Sequence, residues 1–77
     1  MHEVDPSTLP PDIAREHQAY RLRDAATFLL MAADFQRNAG EFPQSASSFA
    51  LMEKEALYFA NLNMRRARKL GKRAEEK

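Results

Sequence analysis

Apolar residues in the first half of the chain recur at intervals of three and four, which is the spacing of a helix face. No Gly or Pro interrupts this spacing between Pro11 and residue 38, and alanine, the best helix former, is abundant there. Pro11 suits the first helical position, where its missing N–H is not needed. Asp12 then places a carboxylate near the positive end of the helix dipole. The pattern predicts a first helix over about residues 11–38.

This first helix has two apolar stripes. One consists of Ile13, Tyr20, Phe28, Met31 and Phe35, with His17 and Asp24 interleaved. The other consists of Leu22, Ala25, Ala26, Leu29 and Ala33. Two stripes present more apolar surface than one partner helix covers, so a second chain is expected to pack on the side that remains.

A turn and a second helix follow. Gly40 is expected to adopt the left-handed conformation that ends many helices, and Pro43 follows it, which predicts a loop over about residues 39–44. The second helix is predicted over about residues 45–71. Its main stripe is Ala46, Phe49, Met52, Ala56, Phe59, Ala60, Ala67 and Leu70, and a thinner one is Leu51, Tyr58 and Leu62. A loop this short makes the two helices antiparallel neighbours.

The ends of the chain are predicted to be irregular. Three prolines within residues 1–11 indicate a flexible arm over residues 1–10, and residues 74–77 are expected to be a frayed charged tail beyond a hairpin that ends near residue 73. Strand signals are absent, because only Val4 and Ile13 are aliphatic β-branched residues. The predicted fold is therefore all-α, an antiparallel two-helix hairpin that dimerises into a four-helix bundle.

The aromatic and methionine side chains are expected to form the core of the hairpin: Tyr20, Phe28, Met31, Phe35, Phe49, Met52 and Phe59. The surplus apolar residues are expected to form the surface for self-association or for a protein partner. This predicted interface comprises Leu22, Ala25, Ala26, Leu29, Ala33, Leu51, Tyr58 and Leu62. If these side chains were left exposed, they would form a patch of the size that marks an interaction site.

Size and composition support an assembly. A single core in a chain of 77 residues supplies only a few kcal/mol, about 3–5, unless something reinforces it. There is no cysteine for a disulfide or a thiolate metal site, and this usage fits a cytoplasmic location. The acidic start shows no apolar signal-peptide region, and the longest apolar stretch contains two aspartates, so a membrane span is not expected. Oligomerisation remains as the reinforcement.

The charge is distributed unevenly. Residues 1–64 hold five Lys/Arg and nine Asp/Glu, a net of −4, whereas residues 65–77 hold seven and two, a net of +5. Such a basic segment attracts phosphates and releases their counterions on binding, and it also suits the negative end of a helix dipole. The candidate contacts for a polyanion are Arg65, Arg66, Arg68, Lys69, Lys72 and Arg73.

Candidate catalytic chemistry is sparse. The serines at 45, 47 and 48 lack the glycine-flanked elbow of a nucleophile and are interpreted as turn and capping residues. Asp24 and Asn63 each interrupt an apolar stripe and could meet across the hairpin as a polar contact that sets the register. No catalytic, cofactor or metal residue is therefore assigned.

The sequence favours a non-enzymatic helical adaptor or regulatory protein that acts by protein–protein interaction, for example by inhibiting or sequestering a bacterial or host regulator. One alternative is a dimeric nucleic-acid-binding protein that uses the basic end of the second helix. Another is a subunit of a larger helical assembly, such as a secretion or virion component.

Overall fold

Two long helices make up most of the chain. The computed structural model describes residues 5–76, within which helix α1 spans Pro11–Glu41 and helix α2 spans Ala46–Glu75. A 3₁₀ turn at Pro6–Thr8 precedes α1, and another at Pro43–Ser45 joins the two helices. Residues 5–76 contain no strand, so the all-α class predicted from the sequence is confirmed. Residues 1–4 of the predicted arm and residue 77 of the predicted tail lie outside the described residues.

The helices contact each other along their length and run in opposite directions. The rings of Phe28 and Phe59 have centroids 5.4 Å apart, and those of Phe35 and Phe49 lie 6.5 Å apart. Residue numbers therefore rise along α1 as they fall along α2, as in an antiparallel hairpin. The result is an elongated body with principal extents of 54 × 19 × 15 Å.

The seam between the helices is built mainly of alanine. In α2 the buried residues alternate in steps of four and three: Ala56, Ala60, Asn63, Ala67, Leu70 and Ala74. In α1 the buried residues are Ala14, Ala25 and Ala32. Steps that average 3.5 residues keep one row of side chains facing a partner helix, as in a coiled coil. Because alanine is short, the axes can approach toward the lower end of the usual range, about 8–10 Å.

This seam corrects the predicted core. The expected row of aromatic and methionine side chains is not the buried row. Phe28, Phe35 and Phe49 are half-buried, whereas Met31 and Phe59 remain exposed. The physical reason is close packing: helices that meet through methyl groups leave no room for large side chains between them, and these side chains are displaced to the flanks.

The turn also differs from the prediction. Helix α1 continues through Gly40 to Glu41, and no glycine among the described residues has a positive φ. The backbone N–H of Phe42 still donates to the carbonyl of Asn38 at 2.9 Å, so the helical hydrogen bonding extends past the glycine. The stop comes from Pro43, which lacks an N–H and excludes helical angles at Phe42, whose φ is −125° and ψ is 76°.

Gly40 offers a direct test of this geometry. A Cβ built at this position meets nothing within 4 Å, and its backbone is helical. We expect Gly40→Ala to raise the free energy of unfolding by about 0.5–1 kcal/mol, since alanine loses less conformational entropy in a helix. Urea unfolding measures the difference. A loss of stability would indicate the left-handed conformation that the sequence suggested.

The far end of the hairpin is closed by residues that the sequence assigned to a flexible arm. Leu9 packs against the buried cluster of Ala14, Leu70 and Ala74. The Arg73 Nε donates to the carbonyl oxygen of Leu9 at 2.7 Å. These contacts explain why α2 continues to Glu75 rather than ending near residue 71, since the last helical turn has apolar surface to bury.

The 3₁₀ turn before α1 is held by its own cap. Asp5 Oδ1 accepts a hydrogen bond from the backbone N–H of Ser7 at 3.0 Å. This hydrogen bond favours the ionised carboxylate and lowers the pKa of Asp5 below its usual value. The turn directs the chain so that Leu9 reaches the end of the seam.

Candidate apolar interaction faces

An exposed apolar groove lies on one side of the seam. We call it the Met31 face, and it is lined by Phe28, Met31, Phe35, Met52, Glu55 and Phe59, with Ala56 at its floor. Met31 comes directly before the seam residue Ala32, and Phe59 comes directly before the seam residue Ala60. Met52 lies seven residues before Phe59, on the same side of α2. This placement puts the three side chains on the same edge of the hairpin.

Aromatic contacts give the Met31 face a defined shape. The ring of Phe59 stacks on that of Phe28 with an interplanar angle of 29°. The Tyr58 ring meets Phe59 edge-on, at 78° and a centroid distance of 5.4 Å. A second, shallower groove continues over the outer side of α2, where Leu51 and Tyr58 line it together with Phe59. Phenylalanine and methionine side chains make adaptable binding surfaces.

A second apolar face lies on the opposite edge. Leu22 and Leu29 are seven residues apart. They directly follow Arg21 and Phe28, which contact Asn63 and Phe59 of α2, so both leucines flank the seam on the side away from Met31. In α2, Leu57 and Met64 hold the equivalent positions. We call these four residues the Leu29 face. Leu22, Leu29 and Leu57 are exposed, and Met64 is half-buried.

The residues of the predicted interface are distributed over three places. Leu22, Leu29, Ala26 and Ala33 are exposed on the Leu29 side of α1. Ala25 is only 3% exposed, because it belongs to the seam within the hairpin.

The members of that predicted interface on α2 do not lie beside Leu22 and Leu29. Leu51 and Tyr58 lie on the outer side of α2 and border the Met31 face, and Leu62 is half-buried on the same side of α2 as Glu55, seven residues away. The companions of Leu29 are Leu57 and Met64, which the sequence reasoning missed. The spacing of the buried alanines in α2 was the signal that could have identified them.

The polar residue in the seam is Asn63, which is 5% exposed. Its Oδ1 accepts a hydrogen bond from Arg21 Nη1 at 3.1 Å, and its Nδ2 donates to the Phe59 carbonyl at 2.9 Å. The suggested contact with Asp24 is not formed, and Asp24 is exposed. The reason is register: Arg21 lies one helical turn earlier on the inward row, and its guanidinium reaches the amide oxygen.

We expect Asn63→Ala to lower the free energy of unfolding by about 1–2 kcal/mol, because it leaves the half-buried Arg21 without its amide acceptor. Thermal and urea unfolding measure the loss. The double variant Arg21→Ala/Asn63→Ala completes a double-mutant cycle. A coupling energy near zero in that cycle would show that the pair does not contribute to stability.

The basic segment surrounds the end of α2. Arg65, Arg68, Lys69 and Lys72 are exposed on the outer half of α2. Arg65 and Lys72 lie opposite the seam, with Arg68 displaced toward the Leu29 face and Lys69 toward the Met31 face. Arg66 and Arg73 are half-buried, and Arg73 forms an ion pair with Glu76 as well as its bond to Leu9. Four of the six predicted polyanion contacts therefore form one outward row.

Metal and membrane sites do not arise within residues 5–76. They contain no group of three or more His, Asp or Glu side chains placed to hold a metal ion. Neither of the two helices is long and apolar enough to cross a bilayer. Comparisons of the chain with protein-family models, with curated proteins and with solved structures give no match. The two apolar faces and the outward basic row are thus the candidate functional surfaces.

Proposed function

We propose that this chain is a small non-enzymatic helical protein that acts as an adaptor or regulator by binding other polypeptides through its apolar faces. One observation carries the proposal. Eleven large hydrophobic side chains are at least 40% exposed, while among the described residues no large side chain is fully buried. Contiguous apolar surface on a soluble chain marks an interaction site.

We further propose that the hairpin homodimerises into a four-helix bundle. The small area buried within one hairpin supports this assembly. A seam of methyl groups buries little apolar area, at about 25 cal/mol per Å², so the isolated hairpin gains little stability from it. Packing one apolar face of each copy against the other adds the missing buried area, and the second face of each copy stays available for a different protein.

Affinity purification from the native cell tests the adaptor role. We expect Leu22→Glu/Leu29→Glu to lose a bound polypeptide that the wild-type chain retains, because two carboxylates would have to enter an apolar contact. Leu30→Glu is the matched control, since Leu30 is 69% exposed between the two faces. Identical polypeptides on wild type and on the double variant would contradict a role for the Leu29 face.

Polyanion binding is the second candidate, and the outward row of four basic residues favours it. Retention on heparin or duplex DNA should then fall steeply between about 0.05 and 0.2 M salt. Lys69→Gln/Lys72→Gln should reduce the slope of log K against log salt by about one for each phosphate that is no longer neutralised. Absence of retention at low salt would remove this candidate.

A further inference from the structure

The hairpin carries opposite charges at its two ends. The acidic side chains near the turn are Asp34, Glu41, Glu53 and Glu55, and two basic side chains, Arg37 and Lys54, lie among them. The other end holds the basic row of α2, Arg65, Arg68, Lys69 and Lys72. Over residues 5–24 and 62–76 nine Arg/Lys outnumber six Asp/Glu, a net of +3, whereas residues 25–61 hold two and four, a net of −2. Two copies aligned in the same direction would place like charges together, whereas two copies in opposite directions place acidic ends on basic ends.

On the Met31 face these charges are arranged symmetrically. Glu55 lines the groove itself. Lys69 is exposed two heptads further along α2, and Leu62 lies midway, seven residues from each. Residues at intervals of seven lie on the same side of a helix that packs as a coiled coil. Rotation by 180° about an axis at the level of Leu62 therefore brings Glu55 of each copy to Lys69 of the other.

The same axis aligns the whole hairpin. Contacts between α1 and α2 place Leu62 near the level of residue 24 of α1. Helix α1 spans Pro11–Glu41, so this level is within two or three residues of its middle. The rotation places the exposed Tyr20 of each copy level with Phe28 of the other. It also places the exposed Asp24, seven residues before Met31 on the same edge, level with the same residue of the other copy at the axis. One register thus gives apolar overlap and two Glu55–Lys69 pairs, together with one contact between like charges at Asp24.

The Leu29 face lacks this complementarity. The charged side chains of α2 nearest to Leu57 and Met64 on that side are Lys54 and Arg68. They are also related by an axis near the middle of the hairpin, at residue 61, but both are cationic. Antiparallel packing of two Leu29 faces would bring lysine to arginine, and like charges directly opposite each other are unfavourable. The Met31 face therefore sets two attractive pairs against one repulsive contact, whereas the Leu29 face gains two repulsive pairs and no attractive one, so the charge pattern favours the Met31 face.

We propose that the Met31 face binds a second copy of this chain, with the two hairpins antiparallel and Glu55 of each paired with Lys69 of the other. This inference rests on the proposed homodimer and adds its face and its direction. It leaves the Leu29 face exposed on both sides of the bundle, where a different partner binds.

Spin-label distances test the direction. The chain has no cysteine, and a Cβ at Gly40 meets nothing within 4 Å, so Gly40→Cys provides a single labelling site at the turn. At 1.5 Å per residue, antiparallel hairpins place the two labels about 40–50 Å apart. Parallel hairpins bring both turns to the same end, where labels are within roughly 25 Å, given a hairpin 19 Å wide.

A long distance in a dimer supports the inference. A short distance in a dimer overturns the inference and leaves the proposed homodimer intact. A monomer with no dipolar modulation overturns both.

Charge reversal tests the face. Glu55→Lys and Lys69→Glu should each weaken dimerisation roughly tenfold, since the two-fold axis turns two attractive pairs into two repulsive ones. The swap Glu55→Lys/Lys69→Glu should restore the wild-type dissociation constant. Glu16→Lys is the control for net charge, because Glu16 is exposed on the outer side of α1. Single reversals with no effect, or a swap that does not rescue, would overturn the assignment of the Met31 face.

Discussion

Replacing Ala60 by leucine is expected to remove a large fraction of the free energy of unfolding. Ala60 is 0% exposed at the centre of the seam. Extra methylenes at such a position force the helices apart or push side chains off their rotamers, at a cost of about 1–3 kcal/mol. A domain of this size holds only about 3–5 kcal/mol, so the loss is a large fraction of the total. Circular dichroism during urea unfolding measures the loss.

The control for this prediction is Ala19→Leu. Ala19 is exposed on α1, and the two substitutions change helix propensity and volume by the same amounts. We expect the control to change stability by no more than about 0.5 kcal/mol. If Ala60→Leu were tolerated as well as Ala19→Leu, the helices would not be in close contact at the alanine seam.

Met31→Glu is expected to convert the proposed dimer into a folded monomer. Met31 is 40% exposed in the groove of the Met31 face and lies outside the seam, so the hairpin itself tolerates the change. In the dimer the new carboxylate would be buried without a partner, which costs several kcal/mol, of the order of 3–5. This corresponds to at least about a hundredfold weaker dissociation constant, which analytical ultracentrifugation measures.

Leu30→Glu is the matched control for Met31→Glu. Leu30 is the adjacent residue, receives the same charge and faces away from the seam at 69% exposure. It should leave the dissociation constant within a factor of about three of wild type. Equal weakening by both variants would indicate a general effect of charge on α1 rather than a contact through the Met31 face.

Local patterns predicted the helices well. The uninterrupted spacing of three and four from Pro11 onward, and the proline at 43, identified two helices with a short connection between them. The predicted end of α1 is wrong, because Gly40 is helical and does not adopt the left-handed conformation. A glycine adopts that conformation only when the chain requires it, and here the hydrogen bond from Phe42 to Asn38 continues the helix.

The core was harder to predict because two stripes in each helix have helical spacing. The size of the aromatic side chains predicts that their stripe is buried. The close approach of the two helices buries the smaller alanines instead. Ala25 and Ala32 repeat at seven residues in α1, and Ala60 and Ala67 repeat likewise in α2. Alanines in the same register on both helices predict a close seam, and that seam fixes which flanking residues form a face.

The candidate faces depended on that register. The sequence predicts an uncovered stripe that contains Leu29. Its neighbours on α2 can be identified only when the inward-facing residues of α2 are known. The partner of Asn63 depended on the same information, since one turn of difference along α1 separates Arg21 from Asp24. The pattern within one helix contains no information about the axial register of two packed helices. Contacts between residues distant in sequence determine that register.

Sedimentation equilibrium at micromolar concentration tests the central claim, that the exposed apolar faces bring chains together. We predict a single species with about twice the chain mass of 8.8 kDa. A well-folded monomer at that concentration would contradict the claim directly. Large polydisperse particles would contradict the discrete dimer and favour a subunit of an extended helical assembly.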